Sequence, residues 1–267
     1  MKRAQRACAI THMLTENPNR DYPLGYFAEM FGCAKSSISE DLQIVREAAE
    51  STGLGYVETT SGARGGVRYV PYISTRLASP QLIKFGEELA RPERALGSGF
   101  IYTTDLMSDP GFVCLAARIF ARHFAATEAD MVVTVETKGI GVAMETARLL
   151  DLPLVVIRRE AKVSEGSTIS INYFSGSADR IQKMSLSKRA VKPGSRAIII
   201  DDFMRGGGSI KGMEDMLREF EARTAGVGVV IVAGRNDVKK IGNYFPIFIY
   251  DDTGSVCKVC ANPELLK

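Results

Sequence analysis

The stretch AIIIDDFMRGGGSIKG, residues 197–212, joins an apolar run to two adjacent carboxylates and then to three glycines. Ala197–Ile200 predicts a strand, and 210–223 predicts a helix, which makes Asp201–Ser209 the turn between them. Similar strands recur at 130–135 (DMVVTV), 152–158 (LPLVVIR) and 226–232 (GVGVVIV), with a helical run, IGVAMETARLLD, at 140–151. Continuous apolar strands alternating with helices predict an α/β unit whose mostly parallel sheet is covered on both faces. In such sheets ligands bind at the carboxyl ends of the strands, where Asp201 and Asp202 stand.

The chemistry of that turn is divided. Free amides at a helix start, with glycines that allow close approach, suit a phosphate around Gly206, Gly207, Gly208 and Ser209. Carboxylates repel phosphate, so Asp201 and Asp202 suit sugar hydroxyls or a bridging Mg²⁺. A ribose 5-phosphate satisfies both halves. The alternative is an ordinary strand-to-helix turn with acidic residues. A second carboxylate pair, Asp251–Asp252 in IFIYDDTGSVCKV, also follows an apolar strand, but another strand comes after it, so a hairpin is predicted there. Thr137, Lys138 and Gly139 join a strand to a helix on the same rim and suit a second anion such as pyrophosphate. Arg158 and Lys162 are further candidates for phosphate, or else solvated surface charges.

Residues 1–74 follow a different pattern. RACAITHMLTENP and PLGYFAEMFG each predict a helix, and AKSSISEDLQIVREAAES a third, with Ser36 or Ser37 as its N-cap and Glu40 completing a capping box. LGYVETT and VRYVP, around the glycine-rich SGARGG, predict a β-hairpin. Three helices and a hairpin make a winged helix-turn-helix, whose third helix enters the major groove of double-stranded DNA. Arg3, Arg6, Lys35, Ser36, Ser37, Arg64 and Arg68 are the candidate DNA contacts. Acidic residues match the basic ones in number through Thr75, however, and small winged helices also serve as protein-binding or dimerisation modules. The division is therefore drawn as 1–74 and 75–267.

Bulk properties narrow the class. The 267 residues are 45% hydrophobic and 24% charged, an ordinary globular balance, and no apolar run approaches the ~20 residues that span a bilayer. With no export signal evident and five scattered cysteines, the chain is expected to be cytoplasmic, with no membrane partner. Cys257 and Cys260 form a lone CxxC that His12 and His123 are not spaced to complete as a zinc site, so no metal centre is expected.

At this point a resemblance enters. IIIDDFMRGGGSIKG resembles the phosphoribosyl pyrophosphate (PRPP) motif of type I phosphoribosyltransferases, and VETKGI their pyrophosphate loop. Together with AKSSISEDL, GARGGVRYVP, NPNRDYPL, RPERALGSGFIYTTD and KVSEGSTISINYFSGSADRIQKMSLSKR, the chain is similar over nearly its whole length to the purine operon repressors of Gram-positive bacteria. The final CKVCANPELLK is not matched.

The resemblance implies a winged helix joined to a type I phosphoribosyltransferase-like domain, in a homodimer that represses purine synthesis and transport genes. PRPP, with or without Mg²⁺, would act as an inducer weakening operator binding; by the chemistry of the rim, a nucleotide carrying pyrophosphate, such as guanosine tetraphosphate, would fit the same place as a competitor. It carries over Asp201 and Asp202 as ribose ligands, Gly206–Ser209 with Arg205 as the 5-phosphate turn, and Thr137–Gly139 as the pyrophosphate loop. Tyr102 offers an aromatic face near a nucleotide or at the domain junction, or else belongs to the core. The rival is a working purine phosphoribosyltransferase. Against it, Arg205 stands where hypoxanthine–guanine-type enzymes place an acid, Gly206-Gly207 stand where Thr-Gly is frequent, and the N-terminal segment has no use in catalysis. No catalytic residue is therefore expected.

Overall fold

A computed structural model of the protein describes residues 1–60, 66–97, 99–161, 166–175, 180–233, 239–251 and 258–267. The N-terminal segment comprises α1 (Arg3–Glu16), α2 (Leu24–Phe31), α3 (Lys35–Thr52) and the strands β1 (Gly55–Thr60) and β2 (Gly66–Pro71). Ile10, Leu14, Phe27, Ile38 and Val67 are fully enclosed and form its own core. The stripe Ile38, Leu42 and Val45 faces inward, as helical spacing predicts. β1 and β2 pair antiparallel, with Glu58 opposite Arg68, and form the wing.

The predicted serine cap of α3 is not what the structure shows. The helix begins two residues earlier, with Ala34 as N-cap and no side-chain cap. Gly32 ends α2 in the left-handed region, and the chain turns so tightly that Ile38 N–H already reaches Ala34 O at 3.3 Å. Ser36 and Ser37 are thus inside the first turn.

The second unit adds α4 (Thr75–Leu89), the ribbon β3 (Ala95–Gly97) and β4 (Phe100–Ile101), α5 (Pro110–Phe124), β5 (Met131–Val135), α6 (Ile140–Leu150) and β6 (Leu154–Ile157). It continues with β7 (Thr168–Ser175), β8 (Arg180–Ser187), β9 (Arg196–Met204), α7 (Gly208–Glu219), β10 (Arg223–Ala233), β11 (Phe245–Asp251) and β12 (Lys258–Ala261). The six-stranded sheet has the order β12-β11-β10-β9-β5-β6, parallel except for β12. The 74/75 division falls between β2 and α4.

Alternation along β9 shows why the sheet is covered twice. Ile198 and Ile200 pack into the core under α4, α5 and α6, whereas Ala197 and Ile199 pack into the core under α7. All four are fully buried, and each isoleucine contributes on the order of 1.5–3 kcal/mol.

Two boundaries differ from expectation. β9 runs on through both aspartates to Met204, because β10 keeps pairing with it at Asp201, Phe203 and Met204. α7 spans Gly208–Glu219 and stops short of Arg223, because Glu221 takes a positive φ of 56° and Arg223 opens β10. An antiparallel hairpin, β7–β8, was not foreseen, although STISINYF alternates polar and apolar residues as a half-buried strand does. β11 and β12 pair antiparallel as the predicted hairpin requires, while its turn, with Asp252 and Cys257, lies outside the described residues.

Candidate functional site

β5 and β9 part at the strand tips. Their pairing ends at Val133–Ile199, while β9 stays attached to β10, so a crevice opens between them. This is where the strand order reverses direction, the place where open α/β sheets take ligands. Two adjoining hollows fill the crevice, of about 370 and about 750 Å³, and share Phe100, Asp201, Phe203 and Ser209.

The smaller hollow is lined by Arg205–Ile210. Gly207 is the N-cap of α7 with φ 78°, and a Cβ there would stand 3.2 Å from Ile241 Cγ1, so conformation and space both call for glycine. Lys240 N–H donates to Gly206 O at 3.0 Å and holds the turn from the far side. The first amides of α7 have no carbonyl within their own helix, which makes the turn a donor-lined anion cradle.

The larger hollow holds Thr137, Lys138, Asp201 and Asp202. Thr137 and Lys138 are exposed, whereas Gly139 is buried as the N-cap of α6. Asp201 is only 4% exposed, and its Oδ1 accepts the Asp202 amide at 3.0 Å. Burial, reinforced by the neighbouring Asp202 carboxylate, raises the Asp201 pKa well above the ordinary carboxylate range, and Arg159 pulls it the other way.

Arg158 and Arg159 exchange their expected places. Arg158 joins Ser185 through its backbone on the edge of the sheet, donates from its guanidinium to Glu136 at 3.3 Å, and lines neither hollow. Arg159 lines the larger hollow instead, alongside Lys138. It is held there by its amide on Glu136 Oε1 (2.5 Å), its Nε on Glu136 O and its guanidinium on Gln182 Oε1 (2.8 Å), which also accepts the Tyr173 hydroxyl. Lys162 lies outside the described residues.

Tyr102 is 44% exposed and belongs neither to the core nor to the crevice lining. The aromatic rings in the crevice are Phe100 and Phe203, stacked with centroids 6.2 Å apart and with the Arg205 guanidinium 5.7 Å from the centre of Phe100. Arg94 anchors this ribbon by donating to Tyr102 O, Asp105 and Glu88. The signal for Phe100 was its position, two residues before Tyr102 in GFIYTTD.

The candidate DNA contacts separate just as clearly. Arg6 donates to both oxygens of the fully buried Asp41 (2.6 and 3.2 Å), and Arg3 lies 3.6 Å from the same carboxylate. These two arginines pin α1 to α3. Arg68 donates from Nε and Nη2 to one oxygen of Glu58 across the wing. Lys35 and Ser36 are exposed at the start of α3, Ser37 is half-buried, and Arg64 lies outside the described residues. Among the described residues there is no cluster of three or more metal-binding side chains, and no helix long and apolar enough to cross a membrane.

A winged helix carrying a phosphoribosyltransferase-fold domain defines the class of this protein. The family described as the bacterial purine repressor N-terminal domain matches residues 2–71, and the phosphoribosyl transferase domain matches 103–256. Among relatives, the purine biosynthesis transcriptional repressor of Bacillus subtilis is 44% identical over 92% of this chain and 86% of its own. The purine biosynthesis transcriptional activator of Lactococcus lactis is 38% identical over 94% of this chain and 93% of its own. The fold of the second unit matches the solved adenine phosphoribosyltransferase of Thermoanaerobacter pseudethanolicus, at 19% identity and TM-score 0.53, covering 62% of this chain and 98% of that one. The chain belongs to the family of purine biosynthesis transcriptional regulators, and not to the enzymes whose fold its second unit shares.

Proposed function

We propose that this protein is a transcription repressor of purine synthesis and transport genes whose operator binding is weakened by PRPP. The crevice supports this reading, because its two hollows, one lined by the turn before α7 and the other by Thr137 and Lys138, meet at Asp201, with Asp202 beside it in the larger. A ribose bearing a 5-phosphate and a pyrophosphate has the same sequence of groups. Its hydroxyls would donate to Asp201 and Asp202, the 5-phosphate would take the amides of Gly206–Ser209, and the pyrophosphate would meet Thr137–Gly139 and Arg159.

Where Mg²⁺ accompanies the ligand, the crevice carboxylates Asp201, Asp202 and Glu136 are the residues that would hold it, and it would offset phosphate charge there. A pyrophosphate-bearing nucleotide such as guanosine tetraphosphate would compete for the same amides. The DNA partner is a double-stranded operator contacted by α3 and the wing of a homodimer. Titration of operator binding with PRPP tests the reading, and unchanged affinity at saturating ligand would reject it. Incubation with PRPP, Mg²⁺ and a panel of purines tests the enzymatic alternative, for which pyrophosphate release is the signature.

A further inference from the structure

The two units meet at the far end of the helix that begins in the phosphate crevice, where Arg148 of α6 also donates to Glu16 O of α1 at 3.4 Å. α6 starts at Gly139, the last residue of the pyrophosphate loop, and runs 11 residues to Leu150, about 16 Å at 1.5 Å per residue. The carbonyl of Leu149 belongs to the last turn and has no amide of its own helix to accept from. It accepts instead from the Asn19 side chain at 2.7 Å, between α1 and α2 of the winged helix. Asn19 holds a left-handed φ of 60°, a conformation asparagine tolerates better than most residues, and its own amide donates to Tyr69 O on β2 at 2.8 Å. An unbroken line of bonded groups thus leads from the phosphate loop through α6 and Asn19 to the base of the wing.

A second contact supplies the pivot. Arg122 of α5 donates to Ile73 O at 3.0 Å and stacks its guanidinium 4.6 Å from the centre of the Tyr72 ring. α5 carries no part of the phosphate loop, so this contact stays put when the loop changes. Leu149 at the end of α6 packs against Ala117 and Ala121 of α5, small side chains over which one packed helix can slide past another.

We infer that Asn19 is the joint through which ligand in the crevice controls the wing. Drawing the Thr137–Gly139 amides toward a pyrophosphate displaces α6, and the Leu149 carbonyl carries Asn19 and Tyr69 with it while Arg122 holds Ile73. This rests on the crevice binding PRPP as proposed above, and it places the regulation in domain geometry and not in direct competition between two polyanions.

The test is Asn19→Gly, which keeps the left-handed backbone and removes only the side-chain donor. Operator affinity is measured without and with saturating PRPP and Mg²⁺, alongside calorimetric PRPP affinity of the full-length protein. The expected result is a PRPP affinity within about twofold of wild type and a response of operator binding to PRPP reduced about fivefold or more. Asn19→Asp, which keeps the shape and sets a carboxylate against the carbonyl, should lose the response in the same way and serves if the glycine variant does not fold. A full response in a folded variant overturns the joint and leaves the crevice reading standing. A wild-type protein that gives no heat with PRPP overturns both.

Discussion

Gly139 lies against Asp202: a Cβ added to the glycine would stand 3.4 Å from the Asp202 amide nitrogen and 2.9 Å from Thr134 Oγ1. The loop proposed to take pyrophosphate and the strand proposed to take ribose are therefore in contact, with no room for a side chain between them. Gly139→Ala should push the loop off the strand and weaken PRPP binding about tenfold, or about 1.4 kcal/mol, while operator binding without ligand is kept. Calorimetry and a DNA-binding titration on the same preparation would show the split. Equal loss of both affinities would instead mean a general folding defect.

Asp201 makes stability depend on pH. Above the ordinary carboxylate range the unfolded chain has lost this proton, whereas the folded chain retains it because burial and Asp202 disfavour the charge more than Arg159 favours it. The folded state then binds more protons, so this residue's contribution to stability declines as pH rises, until the raised native pKa is passed. Asp201→Asn should gain on wild type with rising pH through that window, by about 1.4 kcal/mol for each unit separating the folded and unfolded values. Thermal melts from about pH 5 to about pH 8 measure it, and an advantage that does not vary with pH counts against the assignment.

The two adjacent arginines should separate in a binding experiment. Arg159→Gln removes one of the cations that line the crevice and should weaken PRPP binding about tenfold, the scale of one charge-assisted contact. Arg158→Gln should leave that affinity within about twofold, since its guanidinium is engaged with Glu136 at the sheet edge. If Arg158→Gln proved the more damaging, the geometry of this rim would be misassigned.

In the winged helix, Arg6 and Lys35 should fail in different ways. Arg6→Ala strips the buried Asp41 carboxylate of its bidentate partner and should lower the melting temperature by several degrees. Lys35→Ala, at an exposed position, should leave melting unchanged, weaken operator binding and reduce the slope of log affinity against log salt by about one. A Lys35→Ala protein with an unaltered salt slope would remove this residue from the phosphate-contacting surface.

What the linear chain determined was everything governed by local periodicity and short-range chemistry. Continuous apolar strands such as Ala197–Ile200 specify a sheet buried on both faces, and alternation distributes Ile199 and Ile200 to opposite cores. A glycine run between carboxylates and a helix start specifies where an anion can approach the backbone, whatever the rest of the fold does. The order of three helices and a hairpin likewise gives the winged helix without reference to distant residues.

Only the tertiary structure decided which charges are engaged by other charges. Arg6 and Asp41 are far apart in sequence and meet because α1 crosses α3, which turns an expected DNA contact into an internal clamp. Arg159, and not Arg158, enters the crevice because Arg158 is bridged to Ser185 on β8, a strand whose pairing no local pattern fixes. Phe100 stacks on Phe203 through a ribbon held by Arg94, and Asn19 meets Leu149 across the junction of the two units. Each of these depends on long-range packing, which sets partners by geometry in space and leaves no mark on the spacing of residues along the chain.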